Sequence, residues 1–351
     1  MHPLGVTTPL PPQIRLAAHR SVLPRSTESR LLGLDPDDSL VADDLEPALA
    51  LMLDELADPV DPVLLVARAT RRGADPDAAA DLLRALVDAR VLVDARVAQR
   101  PVERRASAVV LVSGDGPLAA GVVTGLVGAG VGTVYVDCPG TVCPTDLGTG
   151  LVDGDRGSER GGAVAAAARR LVPGAAVGAP PRRLVPDLVV FTDAQTPAAG
   201  PVARAMDTGT AHLLVRLRDG LGIVGPLVLP GRTACLHCLD LRRTELDPGW
   251  PGLVAALTGR RGHADAATTA ATAALGAAQA LAALDVAAPP ATLDTTIELD
   301  TTAALLRRRR WAPHPGCTCG AVRATPDGGC GGARHLQATC TMADRRETMA
   351  G

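Results

Sequence analysis

Cys235-Leu236-His237-Cys238 and Cys317-Thr318-Cys319 set thiols one or two residues apart at two places, with the whole of 239–316 between them. A tight turn can aim two such thiolates at one ion. Two turns together complete a tetrahedral four-cysteine set, the usual closed form of structural zinc. Pro230-Gly231 precedes the first pair and Pro315-Gly316 the second, which suits turns. Zinc on Cys235, Cys238, Cys317 and Cys319 would staple the end of the chain onto its middle. His237 and His314 lie inside the same knuckles and could each replace a thiolate, although four cysteines suffice.

A second constellation begins at Gly114-Asp115-Gly116-Pro117-Leu118-Ala119, a G-x-G-x-x-A turn after an apolar run and before a helical pattern. Gly114 and Gly116 would let the backbone approach a pyrophosphate seated on the helix N-terminus. Asp137 ends the next apolar run, about 20 residues on, where an acid takes a ribose hydroxyl pair. Asp193 ends a later run, at the strand end where such sheets place ligand and Mg²⁺ groups; a helix N-cap or a solvated loop acid reads equally well there. Asp115 adds negative charge beside the phosphate position, however, and Pro117 removes an amide donor. Cys138 and Cys143 read as structural thiols. Arg307–Arg310 reads as a solvated strand edge or ion-pairing patch. Cys330 and Cys340 lie in a Gly-, Arg- and Thr-rich end segment.

These residues need strands and helices to hold them. Ala108–Ser113, Thr133–Val136 and Leu188–Phe191 are apolar runs that predict buried parallel strands. Pro117–Gly128, Ala163–Leu171 and Ala198–Met206 are helical patterns between or after them. The alternation predicts an α/β fold, a doubly wound Rossmann-like parallel sheet. Leu213–Leu217 and Ile223–Leu229 pair through the Asp219-Gly220 turn. Helices follow to about Val286, then late antiparallel strands in 291–299 and 303–310.

Upstream, 29–34 and 39–42 flank the turn cluster Asp35-Pro36-Asp37-Asp38, a hairpin signal. Three helical stripes follow: Leu49, Met52, Leu53 and Leu56; Leu64, Leu65 and Ala69; Leu82, Leu83, Leu86 and Val87. Val91-Leu92-Val93 reads as a closing strand. The expected organisation is an extended arm over 1–25, a small winged-helix-like α+β module over 26–95, and a basic linker over 96–105. The zinc-stapled α/β domain spans 106–320, and a flexible tail 321–351.

Composition excludes several classes. The formal net charge of −3 argues against a general polyanion-binding surface, and 1% aromatic content leaves no stacking platform for single strands. Nucleic acid is therefore not an expected partner. Arg68, Arg71 and Arg72 cluster at one helix end, but Asp75, Asp77 and Asp81 open the next and repel phosphate. The apolar stretch 264–288 carries Asp265, Gln279 and Asp285, so a packed helix is expected there rather than a membrane span. No basic-then-apolar signal opens the sequence, and eight cysteines without one favour metal binding in a reducing cytoplasm. No Tyr–Lys or His–Asp pair suggests a dehydrogenase.

The chain resembles the ThiF superfamily of ubiquitin-activating-enzyme-like adenylating enzymes. It is most similar to the ThiF-like cyclodehydratase-partner, or leader-peptide-binding, proteins of thiazole/oxazole-modified microcin biosynthesis. The matching segments are Val109–Leu118, Gly130–Asp137, Asp187–Asp193, Val224–Asp240 and His314–Gly320. The resemblance implies that the glycine turn cradles ATP, Asp137 holds ribose, Asp193 positions Mg²⁺ and the four cysteines hold zinc. It further implies that the N-terminal module captures a peptide by strand addition. Two departures matter. The catalytic branch carries a second Asp and an Asn–Arg–Gln cluster after its ribose acid, whereas Cys138–Gly150 has no Asn, Arg or Gln. Asp193 is followed by Ala194-Gln195-Thr196 instead of Asn and a nearby Arg. Adenylyl transfer depends on preorganised positive charge, which these motifs lack. The expectation is a non-catalytic or partner-dependent scaffold that binds a peptide or protein, with an active adenylating enzyme as the alternative. Oligomeric state is open, a homodimer included.

Overall fold

A computed structural model describes residues 9–321. The N-terminal module holds β1 (Ile14–Leu16), β2 (Val22–Pro24), β3 (Arg30–Leu32), β4 (Leu40–Ala42), α1 (Pro47–Asp54), α2 (Pro62–Arg71), α3 (Pro76–Asp88) and β5 (Leu92–Asp94). Strands β2, β3 and β4 form an antiparallel meander, and β1 pairs antiparallel with β5. Both α2 and α3 begin with Pro at the first position under an Asp cap. The Asp61 carboxylate accepts from the Val63 amide, and the Asp75 carboxylate from those of Asp77 and Ala78. Met52, Leu53, Leu56, Leu65, Leu83 and Leu86 fill one core.

Three expectations change here. Residues 14–24 are no free arm: Ile14 is fully buried, and its amide and carbonyl exchange hydrogen bonds with Val60 at 2.9 Å. Strands of three residues are too short for periodicity to reveal. Leu64 is exposed, so the α2 stripe is Leu65 and Ala69 alone. The basic linker is a helix, α4 (Ala95–Ser107), capped by Asp94 and carrying Pro101 inside. It buries only Ala95, so no apolar stripe announced it. An ion pair from Arg105 to Asp285, with Nε 2.6 Å from Oδ1, anchors its end.

The second unit is built on an eight-stranded sheet. Its elements are β6 (Val109–Ser113), α5 (Pro117–Gly128), β7 (Thr133–Asp137), α6 (Arg160–Leu171), β8 (Ala176–Gly178), β9 (Leu188–Asp193), α7 (Ala199–Asp207), β10 (Ala211–Arg218), β11 (Leu221–Val228), α8 (Leu236–Leu246), α9 (Trp250–Leu257), α10 (Ala266–Asp285), β12 (Thr295–Asp300) and β13 (Leu305–Arg310). Strand order is β13-β12-β11-β10-β9-β6-β7-β8. Strands β10, β9, β6, β7 and β8 run parallel, and β11 to β13 continue antiparallel. This is the doubly wound sheet that the alternation predicts. Every residue of β9 is buried, as its unbroken apolar run requires. Asp219 and Gly220 both take positive φ, the geometry of a two-residue hairpin turn.

Helices α5 and α10 cross closely because both are built from small residues. A Cβ on Gly121 or Gly125 would lie 2.6 or 2.8 Å from those of Ala273 and Ala277. Helix α10 is long and apolar enough to cross a membrane, yet it packs Thr272, Ala273, Gly276 and Ala277 inward. The order in which strands are added reverses between β6 and β9, which run parallel, and this switch opens a crevice at their carboxyl ends, where such sheets bind ligands.

Candidate functional site

The four cysteines converge. Pro230 and Gly231, the latter at φ 73°, turn the chain after β11, and Cys235 caps α8 with Cys238 one turn on. The strand pair β12–β13 returns the chain so that Cys317 and Cys319 face them. Cys235 Sγ lies 3.7 Å from that of Cys238 and 3.6 Å from that of Cys317; Cys238 and Cys319 are 3.6 Å apart. All four sulfurs lie within 4.8 Å of one another. Tetrahedral zinc thiolates at about 2.3 Å from the metal would stand about 3.8 Å apart, so the set fits one metal ion. His237 is exposed, and His314 Nε2 meets Glu245 at 2.8 Å, so neither joins the cluster. Burial pushes the Cys235 and Cys317 thiols up. Thiolates here thus call for a cation.

The crevice gathers Gly114, Gly116, Asp137 and Asp193. Asp137 is exposed at the end of β7, and its carboxylate accepts from Ser113 Oγ at 3.2 Å. With Ser113, Asp115, Phe191, Thr192 and Pro201 it lines an open groove. Asp193 is 3% exposed and sits at φ 69°. Its carboxylate accepts from the amides of Leu118 at 2.9 Å and Ala119 at 3.2 Å, and from Thr192 Oγ1 at 2.8 Å. It therefore caps α5 from inside the protein. The two glycines permit that approach. A Cβ on Gly116 would meet Asp193 Oδ1 at 2.6 Å, and one on Gly114 would overlap Thr192. Burial raises the Asp193 carboxyl, outweighing these hydrogen bonds, and the charge of Asp115 adds to the rise.

Sequence reasoning missed the cations of this region, Arg160 and Arg261. Arg160, the first residue of α6, is buried; its Nη2 donates to Thr141 O at 2.6 Å and to Asp146 at 3.1 Å, and its Nη1 to Pro139 O. Arg261, in the loop before α10, bridges Asp115 at 3.1 Å and Asp146 at 2.8 Å. Asp146 is fully buried between the two. Neither arginine belongs to a local motif, so spacing gave no signal. Both guanidiniums are committed, and four carboxylates (Asp115, Asp137, Asp146, Asp193) face two of them. Buried Cys138 adjoins the crevice, with burial pushing its thiol up to about 12, which makes it a poor nucleophile. Cys330 and Cys340 lie outside the described residues.

Neither a family model nor a curated protein sequence matches the chain. Solved structures do. The microcin C7 biosynthetic enzyme MccB in complex with N-formylated MccA is 13% identical, with a TM-score of 0.64 over 88% of this chain and 100% of that one. The chain has the MccB fold. E. coli MccB with ATP agrees at 14% identity and TM-score 0.64, over 88% of this chain and 99% of that one. PaaA matches at 12% identity and 0.59, over 84% and 99%. The ThiF-type fold implied by the sequence resemblance is thus the fold found. MccB was solved both with N-formylated MccA and with ATP.

Proposed function

We propose that this protein is a ThiF-like scaffold that binds a peptide or partner protein in a peptide-modification pathway and does not itself activate a carboxylate with ATP. The observation that carries the reading is the Asp193 carboxylate on the Leu118 and Ala119 amides. It fills the helix N-terminus on which a nucleotide phosphate would rest. The surplus of carboxylates around it repels a polyphosphate further. We assign the four-cysteine cluster to structural zinc, which ties α8 to the segment after β13. The free thiols of the six cysteines among the described residues suit a cytoplasmic protein.

The peptide would add to the N-terminal meander. Its outer strands are β2 and β4, and Pro24 weakens β2 as an edge. In β4, the ladder alternation that joins Gly33 to Ser21 across β2–β3 leaves the Val41 amide and carbonyl facing outward. An extended peptide can satisfy both. Helix α3 leads into β5 and keeps Leu83 and Leu86 in the module's own core.

The test is a fluorescence titration of the full chain with short peptides encoded beside its gene, and with duplex DNA. One peptide should bind with shallow salt dependence. Val41→Pro, which removes the outward amide, should weaken it about two- to tenfold, the worth of one hydrogen bond. Steeply salt-dependent DNA binding with no peptide partner would defeat the reading. The alternative, an active adenylating enzyme, draws on exposed Asp137 and the open groove beside it. Pyrophosphate exchange with candidate acids would reveal it.

A further inference from the structure

Side chains of β10 alternate between two environments. Leu213, Val215 and Leu217 pack into the core beneath α5 and α10, while Leu214 packs with Val189 and Phe191 on the opposite face. Arg216 shares that opposite face and is only 6% exposed. Its Nη1 donates to Gln195 O at 3.1 Å, but no carboxylate lies within ion-pairing distance among the described residues. The nearby acids are already taken. Glu298 is shared by Arg218 at 3.2 Å and Arg309 at 3.3 Å, and Asp240 faces Arg243 at 3.6 Å. Arg243 is held between the only two tryptophans, 4.8 Å from the Trp250 ring centre and 5.3 Å from that of Trp311. The charges of Arg243 and Arg218 both act on Arg216, after burial, to lower its ionisation to about 9, so it stays charged at neutral pH. A charged, buried guanidinium with one carbonyl partner costs stability and calls for an anion.

We propose that Arg216, backed by Arg218 and Arg243, is an oxyanion site that takes the side-chain carboxylate of an acidic residue on a bound peptide or protein segment. The planar guanidinium suits bidentate carboxylate recognition. Only the identity of the carrier rests on the peptide-binding reading. The site itself is tested with acetate and inorganic phosphate, so the two can fail separately.

Thermal unfolding of the full chain is followed in chloride, acetate and phosphate at one ionic strength, for wild type, Arg216→Met and Arg216→Lys. Acetate should raise the wild-type midpoint by about 2–4 °C over chloride through binding to the folded state. Arg216→Met should lose that rise while being at least as stable as wild type in chloride, because it removes an uncompensated charge. Arg216→Lys, which lacks the fork, should lose most of the rise and serves alone if the methionine variant does not fold. A wild type indifferent to acetate overturns the site. A larger rise in phosphate than in acetate, absent from the variants, overturns the carboxylate assignment. A rise that persists in both variants is a general salt effect and also overturns it.

Discussion

Cys317→Ser is expected to strip the protein of its metal and to loosen everything that the staple joins. The sulfurs of Cys235, Cys238, Cys317 and Cys319 form one set, 3.6–3.7 Å apart along the named edges. Besides the cysteines, the segment after β13 is held by His314 on Glu245 at 2.8 Å and by the Trp311 amide, which donates to Asp294 O at 2.8 Å. Trp311, Cys317 and Cys319 pack on a small cluster of Val228, Ala234 and Leu239. Structural zinc contributes about 10–16 kcal/mol of apparent binding free energy in small peptides, all of it coupled to folding. Three ligands keep only part of that, so a loss of several kcal/mol is expected, or about 5–10 °C in a chain of this size. Elemental analysis should fall from about one zinc per chain to near none, with calorimetry showing the lower midpoint. His237→Ala should change neither quantity, because His237 stands outside the cluster. Full zinc content in Cys317→Ser would refute the assignment.

Asp146→Ala is expected to be the most damaging single change near the crevice. Asp146 is fully buried and neutralises Arg160, whose side chain is 5% exposed, as well as Arg261. Alanine would leave the Arg160 charge buried without a partner, at a cost of about 3–5 kcal/mol. It would also release the 138–150 loop, where Arg160 now holds Pro139 and Thr141. The effect carries a pH signature. Burial alone would push the Asp146 carboxyl up, but the Cys143 amide and thiol and the Arg160 guanidinium outweigh it and hold it below its ordinary value. A depressed acid stabilises the fold above its unfolded value, near pH 4, and that stability is lost as pH falls through the folded one. Wild-type stability should therefore fall below about pH 4, and the variant's should fall less over the same interval. Asp155, held down by Arg170, contributes in the same direction to both proteins and cancels in the comparison. Chemical denaturation at pH 7 and pH 3 measures both effects. A cost at pH 7 below about 1 kcal/mol would show that the Asp146 pair is not what holds the loop.

Where the sequence was legible, one local signal and one physical requirement coincided. The cysteine pairs came with turn residues, the parallel strands with unbroken apolar runs, and the β10–β11 hairpin with Asp219-Gly220. It was illegible where structure depends on a distant partner. Strand β1 exists because β5 and Val60 lie beside it, and α4 is polar and tied down through Asp285. In the crevice, Gly114, Gly116, Asp137 and Asp193 could be named from spacing, but spacing left Asp193 open between a ligand group and a helix cap, and did not say which helix. A G-x-G turn looks the same whether its glycines admit a pyrophosphate or a neighbouring carboxylate. Arg160 and Arg261 come from α6 and from the loop before α10, and only the folded chain sets them around Asp146.

The claim that the glycine turn is filled from within is tested most directly by calorimetric titration of the zinc-loaded full chain with MgATP. With Asp193 on the Leu118 and Ala119 amides and both nearby arginines ion-paired, no saturable heat is expected below about 1 mM nucleotide, an affinity weaker than about 4 kcal/mol. A low-micromolar dissociation constant, weakened by Asp137→Ala through loss of the ribose contact, would contradict it and restore the adenylating enzyme.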